Sequence, residues 1–440
     1  NRYRDEKKIL QAIGAIFIVI FFIPYTASGF AACGKLFASL FGVKYLPAMI
    51  ISALVIVGYT TLGGFLAAST TDFIQSIIMS IALVIVFVFG ISTAGGIEAV
   101  ADHARSLPGY LTMFTTYDPT TGTEQAYPLL NIISMLAWGL GYFGMPHILL
   151  RFMAIEDEEK LTLSRRVATT WVVISLAVAV LIGVVGLGMT AAGEFDLLEG
   201  SASETIIVQI ANLLSQHGVI AAILAGLILA GILASTMSTA DSQLLAASSA
   251  VSSDLLGSIL KDKETKKESM VADKITLLLI AVVAMFIARD PNSSVFTIVS
   301  FAWAGFGAVF GPVVLLALFW RRSNWQGALA GMICGGSMVF IWKYGISKLG
   351  GAWGIYELLP AFLVAIAANI IVSLITKAPS KEITDEFDKV DQNSQLKRGE
   401  DGSVTLDGAM TIRDLNRAMD WSLPDDEANT VAGLVIHEAQ

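Results

Sequence analysis

The sequence contains few cysteines, few histidines and few charged residues. Its two cysteines, Cys33 and Cys334, both lie in apolar stretches without paired spacing, which argues against a disulfide framework and against a cysteine metal cluster. The 4 histidines include no paired metal-ligand spacing, and the chain also lacks a Walker loop, a nucleophile elbow and a dinucleotide fingerprint. These absences exclude the usual signatures of redox and ATP-driven chemistry. We therefore predict that the chain is not an enzyme.

Apolar residues dominate the composition instead. Of 440 residues, 55% are hydrophobic and 15% are charged, and the mean hydropathy is +0.69. A chain this apolar cannot bury its surface in one soluble core, so we expect most of it to face the lipid bilayer. Apolar runs of roughly 18 to 25 residues, long enough to cross about 30 Å of hydrocarbon, predict about ten spans. They lie near 9–33, 45–66, 73–94, 128–150, 167–192, 218–246, 274–289, 295–320, 326–345 and 355–376.

The number of basic residues, lysine and arginine, alternates from one loop to the next. About 14 of them fall in the loops at 1–8, 151–166, 261–267 and 321–322, against about 6 in the other loops. Because basic residues near span ends are retained on the cytoplasmic side, this asymmetry places residues 1–8 and the C-terminal tail in the cytoplasm. The net charge of −9 comes largely from acidic residues in exposed segments, which is typical of a solvated surface and indicates no nucleic-acid partner. Nothing in the sequence indicates the oligomeric state.

Composition divides the chain into three parts. Residues 1–376 hold all the predicted spans, residues 377–398 form a polar and charged linker, and residues 399–440 regain an apolar pattern. The last part predicts a short strand, a turn at Asp407 and Gly408 and a helix, and so a small cytoplasmic α/β fragment. Because the chain begins with Asn1 and a charged stretch, we expect the natural N-terminus to lie further upstream.

The fourth predicted span is interrupted by glycine and proline. It contains WGLGYFGMPH, in which Trp138, Tyr142 and Pro146 stand among three glycines. Pro146 removes a backbone donor and the glycines weaken the helix, which frees carbonyl and N–H groups to bind an amino-acid zwitterion. Trp138 and Tyr142, four residues apart on one helical face, would enclose a small apolar side chain. The alternative is a proline kink with an aromatic belt at the membrane interface.

The sixth predicted span carries an unusual density of hydroxyl groups. The stretch ASTMSTADSQLL, residues 234–245, places Ser235, Ser238 and Thr239 on one helical face. Sodium is a hard cation that prefers several oxygen ligands, and the carbonyl at 235 with the hydroxyls at 238 and 239 would supply about three of them. The alternative is that these small residues serve close packing between membrane helices.

Few ionisable residues lie within the predicted spans, and each is a candidate for function because charge is costly in lipid. We expect Asp72 and Glu357, near span ends, to cap helices or to reach the interface. Asp241 closes the hydroxyl stretch. We expect His147 and Arg151, at the inner end of the fourth span, to form a packing or gate pair rather than a proton relay.

Long ordered blocks of sequence surround these motifs. They are YTTLGGFLAASTTDFIQ at 59–75, WGLGYFGMPHILLRFMA at 138–154, ILASTMSTADSQLL at 232–245, SFAWAGFGAVFGPVV at 300–314 and WQGALAGM at 325–332. Together they resemble the sodium/solute symporter family, most closely its bacterial sodium/proline symporters, and the resemblance covers residues 1–392. It implies an all-α polytopic membrane protein with the inverted-repeat helix bundle of the leucine-transporter type, whose halves alternate access around a site at the membrane midplane.

The resemblance also implies a function and roles for residues. It implies sodium-coupled uptake of L-proline across the bacterial inner membrane, with sodium as the co-transported ion. The positions that correspond to the family's sodium ligands are Ser235, Ser238 and Thr239. The positions that correspond to proline binding and inner gating are Tyr59, Trp138, Tyr142 and Pro146.

Two features depart from the family pattern. The family has about three further helices before the point where this chain begins, and they carry other sodium and substrate contacts. The tail at 399–435 resembles the transporter-associated domain of CorC/HlyC-type magnesium and cobalt efflux proteins, which proline symporters do not usually carry. Three alternatives follow: a symporter for another small solute, a membrane sensor built on a transporter-like fold, and a cation-efflux component. The scarcity of intramembrane acidic ligands speaks against the last.

Overall fold

The computed structural model describes residues 2, 3, 5, 7–153, 155, 160–256 and 266–379, together with Asn416 and Leu423. Most of the predicted linker lies outside these residues. The strand, turn and helix predicted for the C-terminal part also lie outside them.

The described chain is mostly helical. Its α-helices are α1 (Ile9–Phe41), α2 (Tyr45–Thr93), α3 (Ile97–Ser106), α4 (Leu129–Leu136), α5 (Pro146–Met153), α6 (Lys160–Ala191), α7 (Ile206–Ser215), α8 (Val219–Ser249), α9 (Lys266–Ile287), α10 (Val295–Phe319), α11 (Trp325–Tyr344) and α12 (Leu358–Ile375). Short 3-10 helices cover Ala137–Gly144, Gly200–Thr205, Ile346–Leu349 and Gly351–Gly354, and a π-helical turn, Ala250–Leu256, follows α8. Strands β1 (Thr115–Asp118) and β2 (Thr123–Ala126) form one antiparallel hairpin.

Each predicted span falls on helical structure. Eight helical segments in the described ranges are long and apolar enough to cross a membrane, and a bent pair raises the number to nine. The predicted spans 45–66 and 73–94 are joined in the single helix α2, because Gly63 and Gly64 weaken a helix without removing a backbone donor as proline does. The predicted span 274–289 lies on α9.

Local sequence signals set several helix boundaries. Helix α1 ends before Gly42, which adopts a left-handed conformation with φ of 61°, a conformation that glycine adopts without strain. The Ser294 hydroxyl accepts a hydrogen bond from the Thr297 N–H and caps the start of α10. Asn324 caps α11 in the same way, through the Gly327 N–H at 2.9 Å.

Helix α8 lies between two buried clusters. One cluster packs Ala240 and Leu244 of α8 with α1, α9, α10 and the first half of α2. The other packs Ala225 and Ile228 of α8 with α6, α7 and the second half of α2. The hydroxyl stretch of α8 therefore starts where the helix passes from one cluster to the other.

Two segments between the spans have defined structure. In the segment 201–216, α7 packs into the protein, with Ile210 and Ala211 fully buried in the second cluster. Its apolar face packs against α8. The segment 117–128 includes the turn and strand β2 of the β1–β2 hairpin, in which Thr115 pairs with Ala126.

Candidate functional site

The fourth span is broken at its glycine-proline segment. Helix α4 runs into the 3-10 helix Ala137–Gly144, and the direction changes by 44° where Pro146 opens α5. Met145 is extended because the ring of a following proline disfavours the helical conformation. Gly144 allows close packing on α10, since a Cβ there would lie 2.2 Å from the carbonyl oxygen of Phe306. The proline and the close packing of Gly144 on α10 together maintain the break in this span.

Trp138 and Tyr142 meet around a third aromatic residue. The Trp138 ring stacks on Trp303 of α10 at 5.2 Å between centroids, and Tyr142 contacts Trp303 edge-on at 4.7 Å. The Trp303 indole N–H also donates to the Trp138 carbonyl oxygen at 2.9 Å. Phe296 and Tyr356 stack near the same Trp138 ring. Tyr142 remains 48% exposed, whereas Trp138 is partly buried among these aromatic rings.

The hydroxyl groups of the three predicted sodium-ligand residues on α8 all donate to backbone carbonyls. Ser235 donates to Ile232 at 2.9 Å, and Ser238 and Thr239 both donate to the Ser235 carbonyl, at 3.2 and 3.0 Å. Each hydroxyl oxygen therefore keeps lone pairs that can face a cation. The Ser235 carbonyl, in contrast, is already shared by two side chains. It can coordinate an ion only when one of those donors turns away.

A buried acid lies next to the hydroxyl stretch. The Asp241 side chain is fully buried and accepts a hydrogen bond of 2.6 Å from Tyr59 of α2. The same tyrosine donates to the Met237 carbonyl oxygen at 3.2 Å. Ser242 donates to the other carboxyl oxygen of Asp241 at 3.3 Å. Tyr59 thus fixes α2 against the hydroxyl-bearing turn of α8.

Arg151 of α5 joins three elements at one end of the bundle. It forms an ion pair with Asp72 of α2 and donates to Ser69, at 3.1 Å, and to Ser242 of α8, at 3.0 Å. The expectation that Asp72 caps a helix is wrong, because α2 continues through this position and the carboxylate pairs with Arg151. Glu357 directly precedes α12, but its carboxylate pairs with Lys343 at 2.9 Å and caps no backbone N–H.

A cavity of about 450 Å³ lies between α5 of the broken span and α8. Its lining includes His147 and Arg151 of α5, and Ser242 and Ser249 of α8. Ser238 and Thr239 lie four and three residues before Ser242 on the same helical face, one turn beyond the residues that line the cavity. The His147 Nδ1 atom is buried there without a hydrogen-bond partner among the described residues.

The predicted substrate residues fall into two groups. Trp138 and Tyr142 contact α10, whereas Tyr59 contacts α8, and Pro146 lies at the bend that follows Tyr142. The sequence prediction missed Tyr25 of α1, whose ring lies 6.2 Å from His147. The signal was present in the sequence, because Pro24 lies inside the first span and proline marks irregular membrane helices.

An ionic contact ties three elements together at the opposite end of the bundle. Lys35 of α1 donates to Glu204 at 2.8 Å and to the Ser293 carbonyl oxygen at 2.9 Å. Glu204 also accepts from Ser294, at 2.9 Å, and from the Phe296 N–H at the start of α10. Burial acts to raise the pKa of Glu204, but these donors outweigh it and hold the pKa below its ordinary value.

Fold and site together define a class of protein. A bundle of apolar spans with one broken helix, which lines a cavity together with a hydroxyl-bearing helix, is the architecture of a polytopic membrane transporter. A solved Na+-coupled sialic acid symporter, in a substrate-bound outward-open state, has the same fold: its TM-score is 0.63 at 17% sequence identity, over 85% of this chain and 78% of that one. The fold predicted from sequence, a helix bundle of the leucine-transporter type, is confirmed.

The chain belongs to the sodium:solute symporter family, whose family model matches residues 1–335. The osmoregulated proline transporter OpuE of Bacillus subtilis is 39% identical over 383 residues, covering 87% of this chain and 74% of that protein. The sodium/proline symporter of Haemophilus influenzae is 37% identical over 403 residues, covering 89% and 76%. The protein is therefore a multi-pass membrane transporter that uses sodium, and not an enzyme. A second family model, the transporter associated domain, matches residues 397–440 and confirms the resemblance of the tail.

Proposed function

We propose that this protein takes up L-proline together with sodium across the bacterial inner membrane. The broken span supports the proposal most directly, because its bend of 44° frees backbone groups beside exposed Tyr142 within a bundle of apolar helices. The relatives described above transport proline, at 37 to 39% identity. The alternation of basic loops supports a cytoplasmic position for residues 1–8 and for the tail.

The proposed sodium ligands are Ser235, Ser238 and Thr239 of α8. The hydroxyls at 238 and 239 lie one helical turn from Ser242 of the cavity lining, on the same face of α8, and retain free lone pairs. The buried carboxyl group of Asp241 lies within one helical turn of both and adds an attractive charge for a cation whenever it is ionised. Within the described ranges, no group of three or more His, Cys, Asp or Glu residues is arranged to hold a metal ion, so neutral oxygens carry this proposed site.

The residues proposed for proline binding and inner gating are Trp138, Tyr142, Pro146 and Tyr59. The exposed Tyr142 ring, held edge-on by Trp303, provides an apolar surface for the pyrrolidine ring. Trp138 acts by holding the position of Trp303 through the stacked contact at 5.2 Å. Tyr59 acts through Asp241, since its hydroxyl sets the orientation of that carboxyl group. We assign transport to residues 1–376, a linker to 377–398 and an accessory domain to 399–440.

In this scheme, the binding of sodium and the binding of proline are coupled by a free energy, because each ligand changes the affinity for the other. Sodium binding at α8 orders the turn that Tyr59 contacts, which raises the affinity for proline, and proline raises the affinity for sodium by the same factor. The sodium gradient and the membrane potential drive uptake, and the potential contributes about 2.3 kcal/mol per charge per 100 mV.

Uptake by the complete protein in proteoliposomes tests the proposal. An inward sodium gradient should drive accumulation of labelled proline, and an equal potassium gradient should not. Competition by unlabelled solutes determines the specificity: stronger competition by another solute would assign the transporter to that solute. Sodium-dependent binding of proline without any accumulation would contradict symport and support a sensor.

A further inference from the structure

A groove at one end of the bundle has no role in the proposed transport cycle. It lies where α1 turns into α2, against α8, and encloses about 270 Å³. Phe41, Ile51 and Val55 form its open side, and Leu233 and Met237 form its floor. The single polar side chain in its lining, Ser52, donates to the Ala48 carbonyl oxygen at 2.8 Å and offers no donor to a ligand. The groove therefore accepts only an apolar group.

The open side of the groove continues the exposed apolar surface of α1 and α2. Phe41, Ile51 and Val55 are 67%, 63% and 58% exposed, and all three belong to helices that are apolar and long enough to span a membrane. Lipid chains cover such surfaces in a bilayer, and an apolar groove open to them is filled by a chain rather than by water. The narrow volume suits part of one acyl chain.

A single positive charge stands at the end of this groove. Lys44 follows Val43 of the groove lining, is exposed, and has no hydrogen-bond or ion-pair partner among the described residues. It is the only charged residue between Lys35 and Asp72 in the sequence, so no carboxylate of its own segment neutralises it. It also directly precedes the N-terminus of α2, where the helix dipole favours an anion. Charge and groove together fit an amphiphile with an anionic head and an apolar tail.

We propose that this groove binds an anionic phospholipid, with one acyl chain on Leu233 and Met237 and its phosphate beside Lys44. The site borders the sodium-binding region, because Met237 immediately precedes Ser238 and its carbonyl accepts a hydrogen bond from Tyr59. Lipid binding does not depend on the transported solute, so the inference stands or falls separately from the proline proposal.

Photo-crosslinking of the complete protein in bilayers tests the site. Phosphatidylglycerol with a diazirine on its acyl chain should label peptides around residues 41–56 and 233–237. Ile51→Trp fills the groove and should abolish this labelling, whereas Val84→Trp, at a lipid-exposed position of α2 outside the groove, should leave it unchanged. Equal labelling around Val84 and around Ile51 in the unaltered protein would overturn the proposal.

The head-group contact is tested by comparing two lipids. Lys44→Gln should lower the ratio of phosphatidylglycerol to phosphatidylcholine labelling about fivefold, as expected for the loss of one basic residue near a membrane surface. Lys348→Gln, at another exposed lysine, should not change the ratio. An unchanged ratio in Lys44→Gln would overturn the proposal. So would crosslinks from Ile51→Cys to a second copy, or protection of this cysteine from lipid-soluble reagents by another segment of the chain.

Discussion

The hydroxyl group of Thr239 offers the most direct test of the proposed sodium site. In the structure it donates to the Ser235 carbonyl at 3.0 Å, which leaves its oxygen lone pairs for an ion. Thr239→Ala removes one proposed ligand. An interaction between a neutral polar group and a charge contributes about 1.5–3 kcal/mol, so the apparent sodium dissociation constant should rise about 10- to 150-fold. The fold should tolerate the change, because alanine favours the helix and the lost hydrogen bond is local.

The assay is proline binding by the complete protein as a function of sodium concentration. The sodium dependence should shift while maximal binding at saturating sodium stays near its original value, and Thr239→Ser should restore the original curve. Thr236→Ala is the matched control, because the Thr236 hydroxyl makes the same kind of bond, to Ile232 at 3.0 Å, but its methyl group faces Gly29 of α1. An unchanged sodium dependence in both Ser238→Ala and Thr239→Ala would refute the site. An equal shift in Thr236→Ala would show a general effect on α8.

Three further predictions concern the elements around the site. Gly144→Ala should lower the free energy of unfolding in detergent by about 1–3 kcal/mol, because the added Cβ meets the α10 backbone. Gly139→Ala is the control and should not destabilise the protein, because no atom lies within 4 Å of its Cβ position. Equal melting temperatures for the two variants would contradict this packing. Tyr59→Phe should cost about 1–3 kcal/mol by leaving the buried Asp241 without its tyrosine donor, and an unaltered thermal unfolding curve would count against this contact. Glu204 has a lowered folded-state pKa, so its ionised form stabilises the protein above its ordinary pKa of 4.5, and this contribution is lost as the pH falls through the folded value. The difference in melting temperature between the original protein and Glu204→Gln should therefore be present at neutral pH and shrink in acid, and a difference independent of pH would exclude this role.

The sequence alone was sufficient for the membrane fold and for the local structure of the helices that carry the candidate site. Continuous apolar runs determine spanning helices because lipid leaves backbone groups no partner outside the helix. Pro146 and its neighbouring glycines determined the break in the fourth span for the same local reason: proline lacks an N–H and restricts the residue before it. The hydroxyls of α8 share one face because the helical repeat places residues three and four apart together.

Tertiary packing decided which side chains meet. No local rule connects Tyr59 with Asp241, which are 182 residues apart, or Arg151 with Asp72, which are 79 apart. The same holds for Trp303, which lies 165 residues from Trp138 and yet joins it to Tyr142. Periodicity reports which face of a helix is apolar, but not which partner covers that face, and the packing of α7 against α8 is an example. Partner choice depends on shape and on the pairing of buried polar groups, and these exist only once the helices have packed.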